Sequence, residues 1–269
     1  MQAPEEVLAS IPGWSDAILS ELSGGLNNRI WRVIKGSKCG VLKIDDEPRG
    51  APFSSRHDEA HVQKMAWKEG LAPQVIFAEN GFYFTEFAEG VVWTRDYLNK
   101  MGNLELVASA LKRLHALPLT GRLFDASAAA KRYIDELKVL ESDVAQKCFE
   151  IITKMRSPLN LCCCHNDLVV ANIITSPKLM FLDWEYSSDN DPFFDLATII
   201  EHHELSDQQV TIFLDAYMDG DGQCWRGHLD KQRRMYLALY CLWMGSRLDS
   251  DPAELDSIIL RLAKTTSCF

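Results

Sequence analysis

The sequence predicts an α+β chain of two lobes, a small β-rich one over residues 1–90 and a larger helical one over 91–269. Three observations predict it. Before residue 90 the apolar residues fall in short β-rich runs punctuated by turn residues. After Gly90 they recur mainly at helical spacing. The chain of 269 residues is 47% hydrophobic and 25% charged, enough apolar material for a sizeable core, and it shows no repeat or low-complexity tract.

In chain order, strands are expected at 29–34 and 39–44, joined by the turn Lys35-Gly36-Ser37-Lys38. A helix follows over 57–69. Two more strands, 75–78 and 82–87, flank Glu79-Asn80-Gly81. The helical half reads as 104–117, 126–141, 208–217 and 231–248. A β-like stretch over 161–184 interrupts it and carries the densest polar signals in the chain. A cleft between two such lobes is the expected place for a ligand.

Composition excludes several classes. With 28 Lys+Arg against 38 Asp+Glu the formal net charge is −10, so the broad positive surface of a nucleic-acid binder is not expected. No segment approaches the roughly 18 consecutive apolar residues of a membrane span. The first residues, MQAPEEVLAS, are acidic where a signal peptide is basic. Eight cysteines include the run Cys162-Cys163-Cys164, and neighbours in an extended strand point to opposite faces, so they read as reduced thiols of a cytoplasmic protein. No sequence signal speaks to an oligomeric state.

The segment from His165 to Tyr186 carries the chemistry. Ser176-Pro177-Lys178 is a turn, so the strands on either side pair as a hairpin. Asn172 precedes the first strand and Asp183 follows the second, and an antiparallel hairpin brings both to one end. An amide oxygen and a carboxylate there are hard ligands suited to Mg2+. Asp167, five residues before Asn172, is placed to accept a proton or orient a hydroxyl. Taken singly, each of these residues is better explained as capping a turn; the three together at this spacing are not.

Upstream, Ser23-Gly24-Gly25-Leu26-Asn27-Asn28 leads into a strand, and glycines let backbone amides approach phosphates; a plain turn is the alternative. Alternation puts Cys39, Val41 and Lys43 on one strand face. Glu59, Val62 and Ala66 share a helical stripe, which turns a carboxylate toward the core and makes Lys43 its natural cation. The alternative is a surface Glu59 at the edge of the helix.

These motifs resemble the aminoglycoside phosphotransferase and choline kinase superfamily, whose fold is protein-kinase-like, from about Leu22 to Leu248. Its H-x-D-x4-N catalytic loop stands as His165, Asp167 and Asn172, and its metal-binding Asp as Asp183 in Leu-Asp-Trp-Glu-Tyr. The resemblance implies a loop-shaping role for His165. For Asp195, in Phe-Phe-Asp-Leu-Ala, it implies a brace on that loop, with a helix N-cap as the alternative. It also implies an adenine-holding hinge over 84–90, including Glu86 and Phe87, and a structural His115. The chain departs from protein kinases: it lacks G-x-G-x-x-G, DFG and APE, and Asn166 replaces the HRD arginine.

Within the superfamily, His-Asn-Asp-Leu and Asp-Trp-Glu-Tyr-Ser-Ser resemble bacterial choline kinases. That implies ATP and Mg2+ as cofactors and a small cationic alcohol, choline or ethanolamine, as acceptor. A late-helix Trp-x-x-Trp pair of choline kinases corresponds to Tyr240 and Trp243, three apart and so on one helix face. Aromatic faces attract ammonium by ~0.5–2 kcal/mol each, although core packing explains the same spacing. Glu185 and Tyr186 add charge and another ring. Thiamine or an aminoglycoside is the alternative acceptor, and a non-catalytic pseudokinase the alternative class. A zinc protein built on the Cys162–His165 run or His202-His203 is disfavoured, because consecutive residues diverge and the C-x2-C spacing is missing.

Overall fold

The computed structural model describes residues 3–22, 28–46, 55–79, 81–155, 158 and 160–266. It forms two compact units, Met1–Trp93 with Ala171–Ser187, and Thr94–Val170 with Ser188–Phe269. Where the sequence suggested one cut at residue 90, the catalytic-loop hairpin clusters with the first unit.

In the first unit, α1 (Pro4–Ser10) precedes β1 (Ile18–Leu22), β2 (Asn28–Lys35) and β3 (Lys38–Asp45); then come α2 (Arg56–Lys68), β4 (Val75–Glu79) and β5 (Phe82–Glu86). The strands make an antiparallel sheet in the order β1-β2-β3-β5-β4. Lys35 pairs with Lys38, and Gly36 takes φ 60° as the first residue of the two-residue turn, a conformation that costs glycine little. Alternation along β2 and β3 buries Trp31, Val33, Leu42 and Ile44 on one face. There they join Val7, Leu8, Ile11 and Trp14 into one cluster, with Trp14 edge-on to Phe84 at 4.6 Å. Helix α1, too short to show a period, was not legible in the sequence. Across the sheet, Ala60 of α2 packs with Val75 and Tyr83.

The same unit holds a second sheet, β6 (Val91–Val92), β8 (Ile173–Ser176) and β9 (Lys178–Phe181), in the order β6-β8-β9. Trp93 fastens it, donating its backbone N–H to Ile173 O at 2.9 Å and its indole N–H to Thr175 Oγ1 at 2.8 Å. Gly90 allows the approach, since a Cβ there would stand 2.1 Å from Thr175 O.

The second unit is mainly helical: α3 (Arg95–Leu98), α4 (Met101–His115), α5 (Ala126–Asp135), α6 (Ser142–Thr153), α7 (Pro192–His202), α8 (Asp207–Tyr217), α9 (Gly222–Gly245) and α10 (Pro252–Thr266). The short antiparallel pair β7 (Cys162–Cys164) and β10 (Ser188–Asn190) completes it. Helix α9 is buried along most of its second half and packs against α5, α6, α7, α8 and α10. One helix was expected over 126–141, but α5 ends at Asp135. Beyond it Lys138 and Val139 donate their N–H groups to Gly245 O at 2.9 and 3.0 Å, a tertiary contact that overrides local propensity. Helix α9 itself begins nine residues before the expected Lys231 and ends at Gly245, short of the expected Leu248. Among the described residues no helix is long and apolar enough to cross a membrane.

Candidate active site

In the first unit, β8 and β9 pair Ile173 with Phe181, and Leu182 N–H donates to Asn172 O at 2.8 Å. Asn172 and Asp183 therefore leave the hairpin at the same end. Asp183 holds φ 63°, left-handed backbone that Asp tolerates better than most residues. The next residue, Trp184, is fully buried and donates its indole N–H to Phe181 O at 3.0 Å, which anchors the turn.

The ammonium of Lys43 lies 2.7 Å from Asp183 Oδ1. Burial works against that charge, but Asp183 and then Glu59 and Glu185 outweigh it and raise the Lys43 pKa. Glu59 is fully buried, as its helical stripe implied. Its hydrogen-bonded cation is Arg56 at 2.8 Å, one turn earlier on α2, whereas the sequence offered only Lys43. Arg56 also pairs with Asp45 and lies over the Tyr83 ring at 5.2 Å. Three residues apart on one helix, Arg56 and Glu59 neutralise each other locally, so Glu59 reaches Lys43 as a further attraction beside Asp183.

At the expected hinge, Glu86 N–H donates to Gln74 O at 2.8 Å and Phe87 N–H to Cys39 O at 3.0 Å. An adenine bound there must use other backbone groups. The Phe87 ring carries the Arg32 guanidinium at 4.7 Å. Gly24 and Gly25 lie outside the described residues; Asn28 is described through its backbone, as the first residue of β2, opposite Asp45.

In the second unit, Asp195 organises the loop after β7. Its carboxylate accepts the N–H groups of His165 at 2.9 Å and Asn166 at 2.7 Å, and it meets His115 Nε2 at 3.1 Å. The N-cap of α7 is Asp191, which accepts from Phe193 N–H at 2.9 Å, so capping is not the work of Asp195. Asn166 sits at φ 66°; its amide donates to Ser188 Oγ at 2.9 Å and accepts from Asn190 at 2.8 Å. Strain of about 1–3 kcal/mol at such a position persists where neighbours over-determine it. His165 is fully buried, while Asp167 is only partly buried.

Along α9, Tyr240 stacks on Tyr236 at 5.7 Å and on Trp243 at 5.8 Å, and its hydroxyl donates to Glu254 Oε1 at 2.7 Å. The guanidinium of Arg247 lies over Trp243 at 5.1 Å. Tyr240 and Trp243 thus pack on the helical core, and an internal cation already occupies a face of Trp243. Burial raises the Tyr236 phenol pKa well above its ordinary value, and the Tyr240 and Asp167 charges add to it.

A model of the phosphotransferase enzyme family matches residues 18–230, most of the chain. The chain belongs to the phosphotransferase enzyme family. Its antiparallel first sheet and helical second unit are the two-lobed kinase-like architecture of its structural neighbours. The crystal structure of choline kinase LicA from Streptococcus pneumoniae matches with a TM-score of 0.78 at 20% identity, over 98% of each chain. A structure of LicA in complex with AMP gives the same TM-score over 98% of this chain and 96% of that one, also at 20% identity. Protein LicA of Haemophilus influenzae is 31% identical over 229 residues, 80% of this chain and 66% of that protein.

Leaving the hairpin at one end, Asn172 carries an amide oxygen and Asp183 a carboxylate, donor types that suit Mg2+, and Asp183 faces the positive charge of Lys43. Two partners escaped sequence reasoning. Arg56 sits at i−3 from Glu59, a signal the helical spacing contained. His115, from the end of α4, meets Asp195 only through the tertiary fold.

Proposed function

We propose that this phosphotransferase transfers the γ-phosphate of ATP to the hydroxyl of a small cationic alcohol, choline or ethanolamine. The observation that carries the reading is the Lys43–Asp183 contact at the end of a hairpin that also presents Asn172. Lys43, with Glu59 and Arg56 behind it, would hold the α/β-phosphates, and Gly24, Gly25 and Asn28 would offer backbone groups to them. Glu86 and Phe87 would border the adenine. Asn172 and Asp183 would hold Mg2+, which supplies charge neutralisation on the phosphates.

Asp167 would accept the acceptor's hydroxyl proton or position that hydroxyl. His165 and Asp195 are positioning residues, since Asp195 fixes the two amides that begin the loop. For an ammonium group, Glu185 and Tyr186 offer a carboxylate and a ring, and Tyr240 and Trp243 offer aromatic faces, the latter in competition with Arg247. Nucleotide binding falls to residues 1–90, and the catalytic loop and acceptor recognition to 91–269, with the 171–187 hairpin contributing the metal ligands. Seven described cysteines are free thiols, which suits a cytoplasmic setting.

The test is ADP release with Mg-ATP across choline, ethanolamine, thiamine and several aminoglycosides. Choline- or ethanolamine-dependent turnover that disappears in Asp167→Asn is the expected result. Preference for thiamine or an aminoglycoside overturns the acceptor, and no turnover with any of them overturns the activity.

A further inference from the structure

The second unit contains a thiol pair that phosphoryl transfer leaves unused. The two-residue period of a strand puts Cys162 and Cys164 on one face of β7 and Cys163 on the other. The Cys162 and Cys164 sulfurs lie 3.5 Å apart. A ring nitrogen of His115 joins them, with all three ligand atoms within 4.8 Å of one another. His115 Nε2 meets Asp195, and its Nδ1 lies 2.7 Å from the Tyr217 hydroxyl.

We propose that Cys162, Cys164 and His115 form a binding site for a thiophilic divalent d10 cation, Zn2+ or Cd2+, distinct from the Asn172–Asp183 pair. Tetrahedral coordination with metal–sulfur bonds near ~2.3 Å separates two thiolates by about 3.8 Å, a few tenths from the separation present. A disulfide fits less well. Residues two apart on a strand span about 6.6 Å between Cα atoms, the far edge of the disulfide range, and the sulfurs would have to close to about 2.05 Å.

Binding releases both thiol protons to solvent, and two thiolates then cancel the charge of the cation beside a neutral imidazole. That neutrality matters in this place, because Cys164 is fully buried and a net charge there would go unsolvated. Coordination through Nδ1 leaves Nε2–H on the Asp195 carboxylate, the carboxylate–histidine–metal relay that orients such ligands. Solvent or the displaced Tyr217 hydroxyl completes the coordination. The sequence pattern hid this site because the histidine comes from α4 and not from the run beside the cysteines.

The full-length protein, stripped with chelator under reductant, is titrated with Cd2+. One equivalent is expected to bind with an ultraviolet thiolate-to-metal charge-transfer band and a rise in Tm. Cys162→Ser and Cys164→Ser each lose both signals, and Cys148→Ser keeps them. Asp195→Asn weakens binding by about 10–100-fold through the relay. Independently of any variant, bound Cd2+ protects Cys162 and Cys164 of the native protein from alkylation, read by peptide mass. Absence of the band, a band unchanged by both serine variants, or unprotected Cys162 and Cys164 overturns the site.

Discussion

The Lys43 ammonium and the Asp183 carboxylate meet at 2.7 Å across 140 residues of chain, inside one compact unit. That contact ties the third strand of the main sheet to the end of the β8–β9 hairpin. It also explains why the lysine stays charged although it is largely buried.

Removing either partner therefore tests structure and chemistry together. Asp183→Asn and Lys43→Met each abolish measurable phosphoryl transfer. On stability, Asp183→Asn costs about 1–3 kcal/mol, below the ~3–5 kcal/mol of a fully buried pair because a third of the Asp183 side chain meets solvent. The double variant recovers part of that loss, since no lone ammonium is left behind. Urea unfolding of the four proteins gives the coupling directly.

Asp195→Asn keeps the shape of the side chain but replaces one of the two oxygens that receive the His165 and Asn166 amides. The expected effect is a fall in kcat of at least about tenfold with KM for ATP unchanged, because the loop loses its position while the Lys43–Asp183 region is untouched. A rise in KM for ATP with kcat preserved would remove Asp195 from the positioning role.

Acid sensitivity follows from two neighbouring histidines, His203 buried and His202 partly so. Burial lowers His202 to about 4 and His203 to about 3, with nearby charges adding to the shift, and His203 Nε2–H donates to Leu168 O at 3.3 Å. Both take up protons more readily in the unfolded chain, near pH ~6.5. Their stabilisation is complete above that pH and drains away as pH falls through the folded values. Unfolding free energy should decline steadily below about pH 6, and His203→Gln, which keeps a donor but cannot titrate, should flatten that decline.

The aromatic stack on α9 separates recognition from packing. A Trp243 that recognises the acceptor makes Trp243→Leu raise KM for choline by about 2- to 30-fold, the equivalent of ~0.5–2 kcal/mol, with KM for ATP constant. Arg247→Ala, by removing the internal cation at 5.1 Å, should lower it. Steady-state kinetics with both substrates decides, and an unmoved KM in both variants makes the stack purely structural.

Much of this molecule was written in local pattern. Strand alternation around Gly36, the helical stripe that groups Glu59 with Val62 and Ala66, and the hairpin that brings Asn172 and Asp183 to one end all depend on neighbours within a few residues, so the sequence alone determined them. It also determined the family, through His165, Asp167, Asn172 and Asp183. The tertiary structure decided what each charged group faces. Arg56 takes Glu59 and Lys43 takes Asp183; Asp195 gathers two loop amides and His115; Cys162 and Cys164 turn the same way toward that histidine. It also decided where helices stop, as at Asp135, where Gly245 captures the following amides. The physical reason is common to these cases. Side-chain periodicity is a property of the local backbone, whereas the partner of a buried polar group is whichever opposite charge or hydrogen-bonding group the packing of distant segments brings within reach.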